Sequence, residues 1–276
     1  MPEYHVLVGE TKATAVDTLK TTSGLSKQVI KQAMKKGAVW VSLLDQGHKR
    51  LRRADKQLKP GQQLHLYYDP LVLAQVPTAP VLVADEGDFS VWYKPYGMLS
   101  QGSKWGDHCT INRWVEQHHR PQRPAFIVNR LDRAAQGLML IAHSKTAASA
   151  LSDLFAQRAI DKRYTALVAG TLPKPLLLDT DIDGKAAVSH VSLLQFDAYT
   201  QTSLVSVGID TGRKHQIRKH LSGAGLPIVG DRLYGPEEQA SEVDLCLVSS
   251  YLAFLSPFDS MTKSYTLADE YLPKIS

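Results

Sequence analysis

Cysteine is nearly absent from this chain: Cys109 and Cys246 are the only two in 276 residues, and they lie far apart. A disulfide framework and a cysteine zinc site are therefore both unsupported, and a reducing, cytoplasmic compartment is the default expectation. No apolar run approaches the ~20 residues of a membrane helix, so no membrane partner is expected. The opening Met1-Pro2-Glu3-Tyr4-His5 lacks the basic start and apolar core of a signal peptide. There is no internal repeat, no glycine-rich nucleotide loop and no spaced set of metal ligands. His215 and His220 are five apart, off the i, i+4 face that helical zinc ligands share. No cofactor and no metal are expected. Nothing points to an obligate protein partner, and a monomer is the simplest reading.

What is present is a globular composition, 43% hydrophobic and 21% charged, long enough for a small domain followed by a larger one. The formal charge is +5, and its distribution is uneven. Residues 1–70 carry twelve Lys/Arg against six Asp/Glu, whereas the remainder carries 20 against 21. A basic module ahead of a near-neutral domain suits a polyanionic partner.

Within that module, Ser26 is placed to cap a helix over 27–36 that ends at Gly37. Lys27, Lys31 and Lys35 then share one face, with Val29, Ile30, Ala33 and Met34 on the buried side. The spacing alone leaves a solvated basic face and an anion-binding face equally open. A strand at 38–41 follows, then a basic segment with Arg52 and Arg53, a Pro60-Gly61 turn, and the alternating strand 63–68. Residues 69–80 hold Pro70, Pro77 and Pro80, which predicts an extended connector at 71–80. The domains expected are thus 1–70 and 81–276.

From residue 81 the pattern is rich in strands: a hairpin around Glu86-Gly87-Asp88, strands at 162–169, 188–196, 203–209 and 245–252, and helices after Thr110 and Ser144. The fold class expected is α+β, a mixed, largely antiparallel sheet with helices packed on it, preceded by a small α/β domain.

Three stretches carry candidate chemistry. The apolar run 126–128 ends on Asn129-Arg130-Leu131-Asp132-Arg133, a carboxylate displayed where a strand becomes a loop. Taken alone, a surface Asp132 paired with Arg130 or Arg133 is the commoner meaning of such a pattern. Lys162-Arg163-Tyr164 sets a tyrosine on a strand beside two cations, a position most often used for packing. Thr211-Gly212-Arg213-Lys214-His215-Gln216-Ile217-Arg218-Lys219-His220 turns from strand to basic helix. By itself it is a phosphate site, a salt-bridge cluster or a solvated face.

Together these runs, with Lys94-Pro95-x-Gly97 and Gly230-Asp231-x-x-Tyr234-Gly235, resemble the RluA family of RNA pseudouridine synthases across nearly all of 81–276. The N-terminal module resembles an S-four-type RNA-binding domain, with Ser42-Leu43-Leu44-Asp45 where that family usually has Asn-Gly. The resemblance implies isomerisation of a specific uridine to pseudouridine in structured ribosomal or transfer RNA, without cofactor. It implies Asp132 as the nucleophile, Arg218 as its electrostatic partner, and Tyr164 against the uracil and available for the last proton abstraction. Arg130 is implied to fill the space of the flipped nucleotide. Lys27, Lys31, Lys35, Arg52, Arg53, Arg213 and His215 are expected on RNA. The chain departs from the family pattern at Asn129, Ala135 and Gln136, where His, Thr and Ser are usual, and at Ser249, where His is usual. These departures leave a second reading, an RNA-binding protein that retains the fold without catalysis.

Overall fold

Alternation in the first strands of the chain builds a four-stranded antiparallel sheet in the computed structural model, which describes residues 1–10, 13–43, 46–236 and 243–275. Leu44 and Asp45 lie outside the described residues. The strands are β1 (Glu3–Leu7), β2 (Val39–Leu43), β3 (Gln46–Arg50) and β4 (Gln62–Tyr67), in spatial order β1-β4-β2-β3. Two helices cover one face, α1 (Ala15–Ser23) and α2 (Lys27–Lys35), and they bury Leu19, Ile30 and Met34 against Leu64 and Leu66. The Ser26 hydroxyl accepts from the Val29 amide at 3.3 Å, and Gly37 follows at φ 81, as the capping pattern requires.

The connector is not fully extended. Asp69 caps a short helix, α3 (Pro70–Ala74), by accepting from the Leu71 and Val72 amides at 2.9 and 3.2 Å. Proline at the first helical position gives up no needed N–H, so it starts this turn rather than preventing it. A second difference from the expected boundaries is that 101–118, including α4 (Ile111–His118), clusters with residues 1–77. Its anchor is Asp107, which pairs with Arg50 at 3.1 Å and with Arg52, while its amide donates to the Lys36 carbonyl at 3.0 Å.

The second unit comprises 78–100 and 119–276. Its strands are β5 (Val81–Asp85), β6 (Phe89–Lys94), β7 (Phe126–Ile127), β8 (Gln136–Ala142), β9 (Ile160–Ala169), β10 (Leu176–Leu178), β11 (Ser189–Asp197), β12 (Thr202–Ile209), β13 (Leu247–Leu255) and β14 (Thr262–Thr266). They form one sheet in the order β10-β11-β12-β9-β13-β8-β6-β5, with β14 added to β13 and β7 to β8. Every pairing is antiparallel except β13 with β8. Helix α5 (Lys145–Ala156), capped by Ser144, buries Ala147 and Leu151 in a core with Phe89, Leu138, Leu140 and Phe254. Helix α6 (Gln216–Gly223) lies against β11. The architecture is the α+β mixed sheet expected.

The parallel β8–β13 junction sits directly after the Asp132 loop and depends on Gly137. Its φ is 115°, and a Cβ there would fall 2.4 Å from both the backbone nitrogen and oxygen of Ser249. Backbone cannot move aside as a flexible side chain can. Gly137→Ala is therefore expected to cost roughly 3 kcal/mol from strain and overpacking together, read as a lower denaturant midpoint.

Candidate active site

The Asp132 loop joins β7 to β8, and much of what holds it comes from the segment that follows β6. Ser100 pins it from the side: its hydroxyl donates to the Leu131 carbonyl at 2.6 Å and accepts from the Leu131 amide at 3.0 Å. The Lys94-Pro95-Tyr96-Gly97 turn holds Arg133. The Gly97 amide donates to the Arg133 carbonyl at 3.0 Å, and Arg133 Nε returns a bond to the Gly97 carbonyl at 3.2 Å. Arg133 thus has a structural task. Two of the residues that depart from the family pattern are also engaged. Asn129 Oδ1 accepts from the Leu140 amide at 2.9 Å, and Gln136 Oε1 accepts from the Tyr93 hydroxyl at 2.5 Å. The loop is anchored with different chemistry from the one the resemblance implies.

Lys94 is fully buried, and among the described residues no carboxylate pairs with it. Its Nζ donates to the carbonyls of Met98 and Pro95 at 2.9 and 3.1 Å and reaches Arg133 at 3.5 Å. Burial pushes its ammonium down to about 7, with the Asp132 charge opposing. Lys94→Met is expected to leave those carbonyls unpaired, cost about 1–3 kcal/mol and loosen the Asp132 loop. Chemical denaturation alongside activity measures both effects. Because its folded pKa lies below the unfolded value near 10.4, the folded chain binds fewer protons between about pH 7 and 10, so Lys94's contribution to stability grows across that interval.

Arg218 reaches the site from α6, and the sequence around it explains how. His215 precedes the helix with φ 56°, a left-handed conformation uncommon for a residue with a side chain. No side chain caps the helix, but buried Gln216 locks the turn. Its Oε1 accepts from the Thr211 hydroxyl and the Arg213 amide at 2.7 and 3.0 Å, and its Nε2 donates to the Val188 carbonyl at 2.8 Å. Arg218 then projects with 5% of its side chain exposed. Asp231 grips it in a fork, Nε to Oδ2 at 2.8 Å and Nη2 to Oδ1 at 2.6 Å, which leaves Nη1 to reach Asp132 Oδ2 at 3.3 Å. Burial works against the guanidinium charge, but the two carboxylates outweigh it and raise its pKa. For Asp231 burial is likewise opposed, by Arg218 and by the Leu233 and Tyr234 amides, and its pKa falls.

The other Asp132 oxygen faces His215 Nε2 at 3.7 Å, while His215 Nδ1 meets the Tyr234 hydroxyl at 2.9 Å. Burial first, and then Arg218 and nearby lysines, depress this imidazole, so it is neutral at pH 7 despite the Asp132 charge. His215 therefore stands beside the carboxylate, although the sequence suggested an RNA contact. Asp132, His215 and Arg218 line a cleft of about 250 Å³ with Tyr96, Arg232 and Leu233 among the other walls.

Tyr164, on β9, pairs in register with Ser249 on β13. Burial pushes its hydroxyl up to about 12, with the Ser249 hydroxyl opposing and the Asp132 charge adding. A phenol so placed is protonated at neutral pH, which weighs against a standing phenolate base. Arg130 is exposed on the Asp132 loop. Arg213 is partly engaged, donating to the Ala186 carbonyl at 3.0 Å.

The remaining sequence candidates lie in the N-terminal unit. Lys31 and Lys35 line an open groove on α2 with Gln28 and Gln32, while Lys27 pairs with Asp17. Arg53 is exposed, and Arg52 is committed to Asp107 and the Lys35 carbonyl.

Among the described residues, one cluster has metal-ligand types within 4.8 Å of one another, Asp85, His119 and His143. Nε2 of His119 is already engaged by Arg123, and both nitrogens of His143 are engaged, by Ser90 and by the Pro124 carbonyl. His220 is similarly spent, on the Ser189 hydroxyl and the Thr180 carbonyl, both at 2.9 Å. Among the described residues no helix is long and apolar enough to cross a membrane.

Comparison with known proteins adds ancestry to this geometry. A family model described as RNA pseudouridylate synthase matches residues 88–223. The chain is 29% identical over 265 residues to an uncharacterized RNA pseudouridine synthase of Aquifex aeolicus (strain VF5), covering 84% of this chain and 82% of that protein. It is 30% identical to ribosomal large subunit pseudouridine synthase D of Yersinia pestis, over 70% of this chain and 63% of that one. The solved structure of human RNA pseudouridylate synthase domain containing 1 superposes with a TM-score of 0.61 at 23% identity, covering 72% of this chain and 88% of its own; at that identity the likeness shows the fold.

Proposed function

Since the chain belongs to the RluA family of RNA pseudouridine synthases, we propose that it converts a specific uridine of structured ribosomal or transfer RNA to pseudouridine, with Asp132 as the nucleophile. The observation that carries this is the buried Asp231–Arg218 fork with its third arm on Asp132. A guanidinium locked on one side cannot swing away when the other carboxylate works, so Asp132 is presented to the cleft in a fixed orientation.

The reaction needs no redox change. Asp132 attacks C1′ of the uridine as the C1′–N1 bond breaks, and the bond's electrons leave with the uracil. The uracil turns, its C5 attacks C1′, and the carboxylate departs. The C5 proton is then lost and N1 regains one, so the atoms balance. Neutral His215 beside Asp132 and the protonated Tyr164 supply hydrogen-bonding groups for that exchange. Arg130, exposed on the loop, suits the space a flipped base leaves, because its planar guanidinium stacks on neighbouring bases. Lys27, Lys31, Lys35 and Arg53 would add phosphate contacts.

The test is pseudouridine mapping of cellular RNA without the gene and after complementation with wild type or Asp132→Asn. Sites that return only with wild type support the proposal. Their absence, with RNA binding retained, would establish the alternative of a catalytically silent RNA-binding protein. The intact fork on Asp132 weighs against that alternative, because a binding platform has no use for a carboxylate held this way.

A further inference from the structure

The basic helix face is not the only distinctive surface of the N-terminal unit. Strand alternation sends Leu64, Leu66 and Val39 toward the helices, and it sends a different set to the opposite face of the same sheet. That face carries His5 on β1, His65 and Tyr67 on β4, Trp40 on β2, and His48 and Arg50 on β3. Register puts His5 across from His65, and His65 across from Trp40.

The rings form a connected array. His48 stacks on His65 with centroids 4.7 Å apart and planes at 17°, and His65 lies nearly parallel to Tyr67 at 12°. Trp105 meets Tyr67 edge-on at 5.8 Å. Cations sit on the rings: the Arg50 guanidinium is 4.2 Å from the Trp40 centroid, and Lys104 Nζ is 4.8 Å from Tyr67 and 5.2 Å from Trp105. Buried His65 is held in place by His5 at 2.8 Å and Ser42 at 3.0 Å, a fixed base under the exposed ring of His48.

A core would not need this face, because the helices already close the other one. Exposed and half-exposed flat rings interleaved with cations are what unstacked bases and their phosphates require. The charge agrees, since all the excess positive charge of the chain lies in residues 1–70. Duplex bases are already stacked on one another, so the occupant that fits is a single strand.

We propose that this sheet face is a stacking platform for a single-stranded segment of the RNA substrate, with His48 and Trp105 as its outer rings and Lys104 beside them, exchanging its 2.6 Å pairing with Glu3 for a phosphate. The proposal rests on the reading of the chain as an RNA-modifying enzyme, and names where that RNA extends on the N-terminal unit.

The test titrates the full-length protein with a labelled short unstructured oligoribonucleotide, and with the same sequence in a closed duplex. The single strand is expected to bind more tightly and to quench tryptophan emission. His48→Ala is expected to weaken single-strand binding about tenfold, within the range for losing one base-stacking partner. His48→Phe, which keeps a flat ring and loses the imidazole nitrogens, is expected to restore most of it, and that separates stacking from folding or charge. His48→Ala binding the single strand as wild type does would overturn the proposal, as would His48→Phe failing like His48→Ala. If pseudouridine forms while His48→Ala binds normally, the platform fails and the synthase reading stands. If the face binds single strands in a protein that forms no pseudouridine, the reverse holds.

Discussion

Asp132→Asn should lower the rate of pseudouridine formation by on the order of 10⁴-fold or more, the scale on which enzymes lose rate when a covalent nucleophile is removed. The substitution changes little else. Asparagine is nearly isosteric, its amide oxygen still accepts from Arg218 Nη1, and Arg218 keeps its full fork on Asp231. The loop's anchors at Leu131 and Arg133 run to Ser100 and Gly97 and do not involve the carboxylate. The melting temperature and the RNA affinity should therefore stay close to wild type while single-turnover conversion collapses. A variant that kept a tenth of the wild-type rate would remove Asp132 from the chemistry.

Arg218→Leu should fail in two separable ways. It takes the partner from Asp132, and it also strands Asp231, whose side chain is only 1% exposed. Removing one member of a buried ion pair typically costs about 3–5 kcal/mol, because the other is left charged in a poor solvent for charge. In a domain of this size that corresponds to a melting temperature lower by roughly 10 °C. The double variant Arg218→Leu with Asp231→Leu replaces both charges by apolar groups and should recover much of that stability, yet it should remain inactive. Recovery of fold without recovery of activity would show that the pair does more than hold the protein together. The pH dependence follows from Asp231. Its pKa is lower in the folded chain, so the fork's contribution is fully present above the unfolded aspartate value near 3.9 and is lost as pH falls through the folded one. Arg218→Leu should flatten that acid limb, which thermal melts between neutral pH and about pH 3 would reveal.

How much of this was legible beforehand depends on the range of each interaction. The Ser26 and Ser144 caps and the hairpin at Gly87 follow from neighbours within a few residues. The strands expected at 162–169, 188–196 and 203–209 lie within a few residues of β9, β11 and β12, whereas β1, α1, β3, β10 and β14 were not anticipated. The proline-containing helix α3 was misread as an extended connector, because proline opens a helix as readily as it breaks one. Placement of 101–118 with the first unit was invisible, since it turns on Asp107 meeting Arg50 and Arg52 more than fifty residues earlier. In the site, the motifs named Asp132, Arg218 and Tyr164. They did not say that His215 would face the carboxylate, because that depends on a left-handed backbone fixed by the buried Gln216 side chain. The substitutions at Asn129 and Gln136 looked like a weakened site, and only their partners Leu140 and Tyr93 show how the loop is tied.

By itself, then, the sequence determined many of the elements, the basic first quarter and the residue types the chemistry needs, because periodicity, capping and charge are properties of adjacent residues. The resemblance already paired Arg218 with Asp132, but only the tertiary structure shows Asp231 gripping that arginine from its other side. The Asp231–Arg218–Asp132 line joins a loop between two strands to the turn beyond a helix, across nearly a hundred residues of chain. Burial at that meeting point sets how strongly each charge is felt.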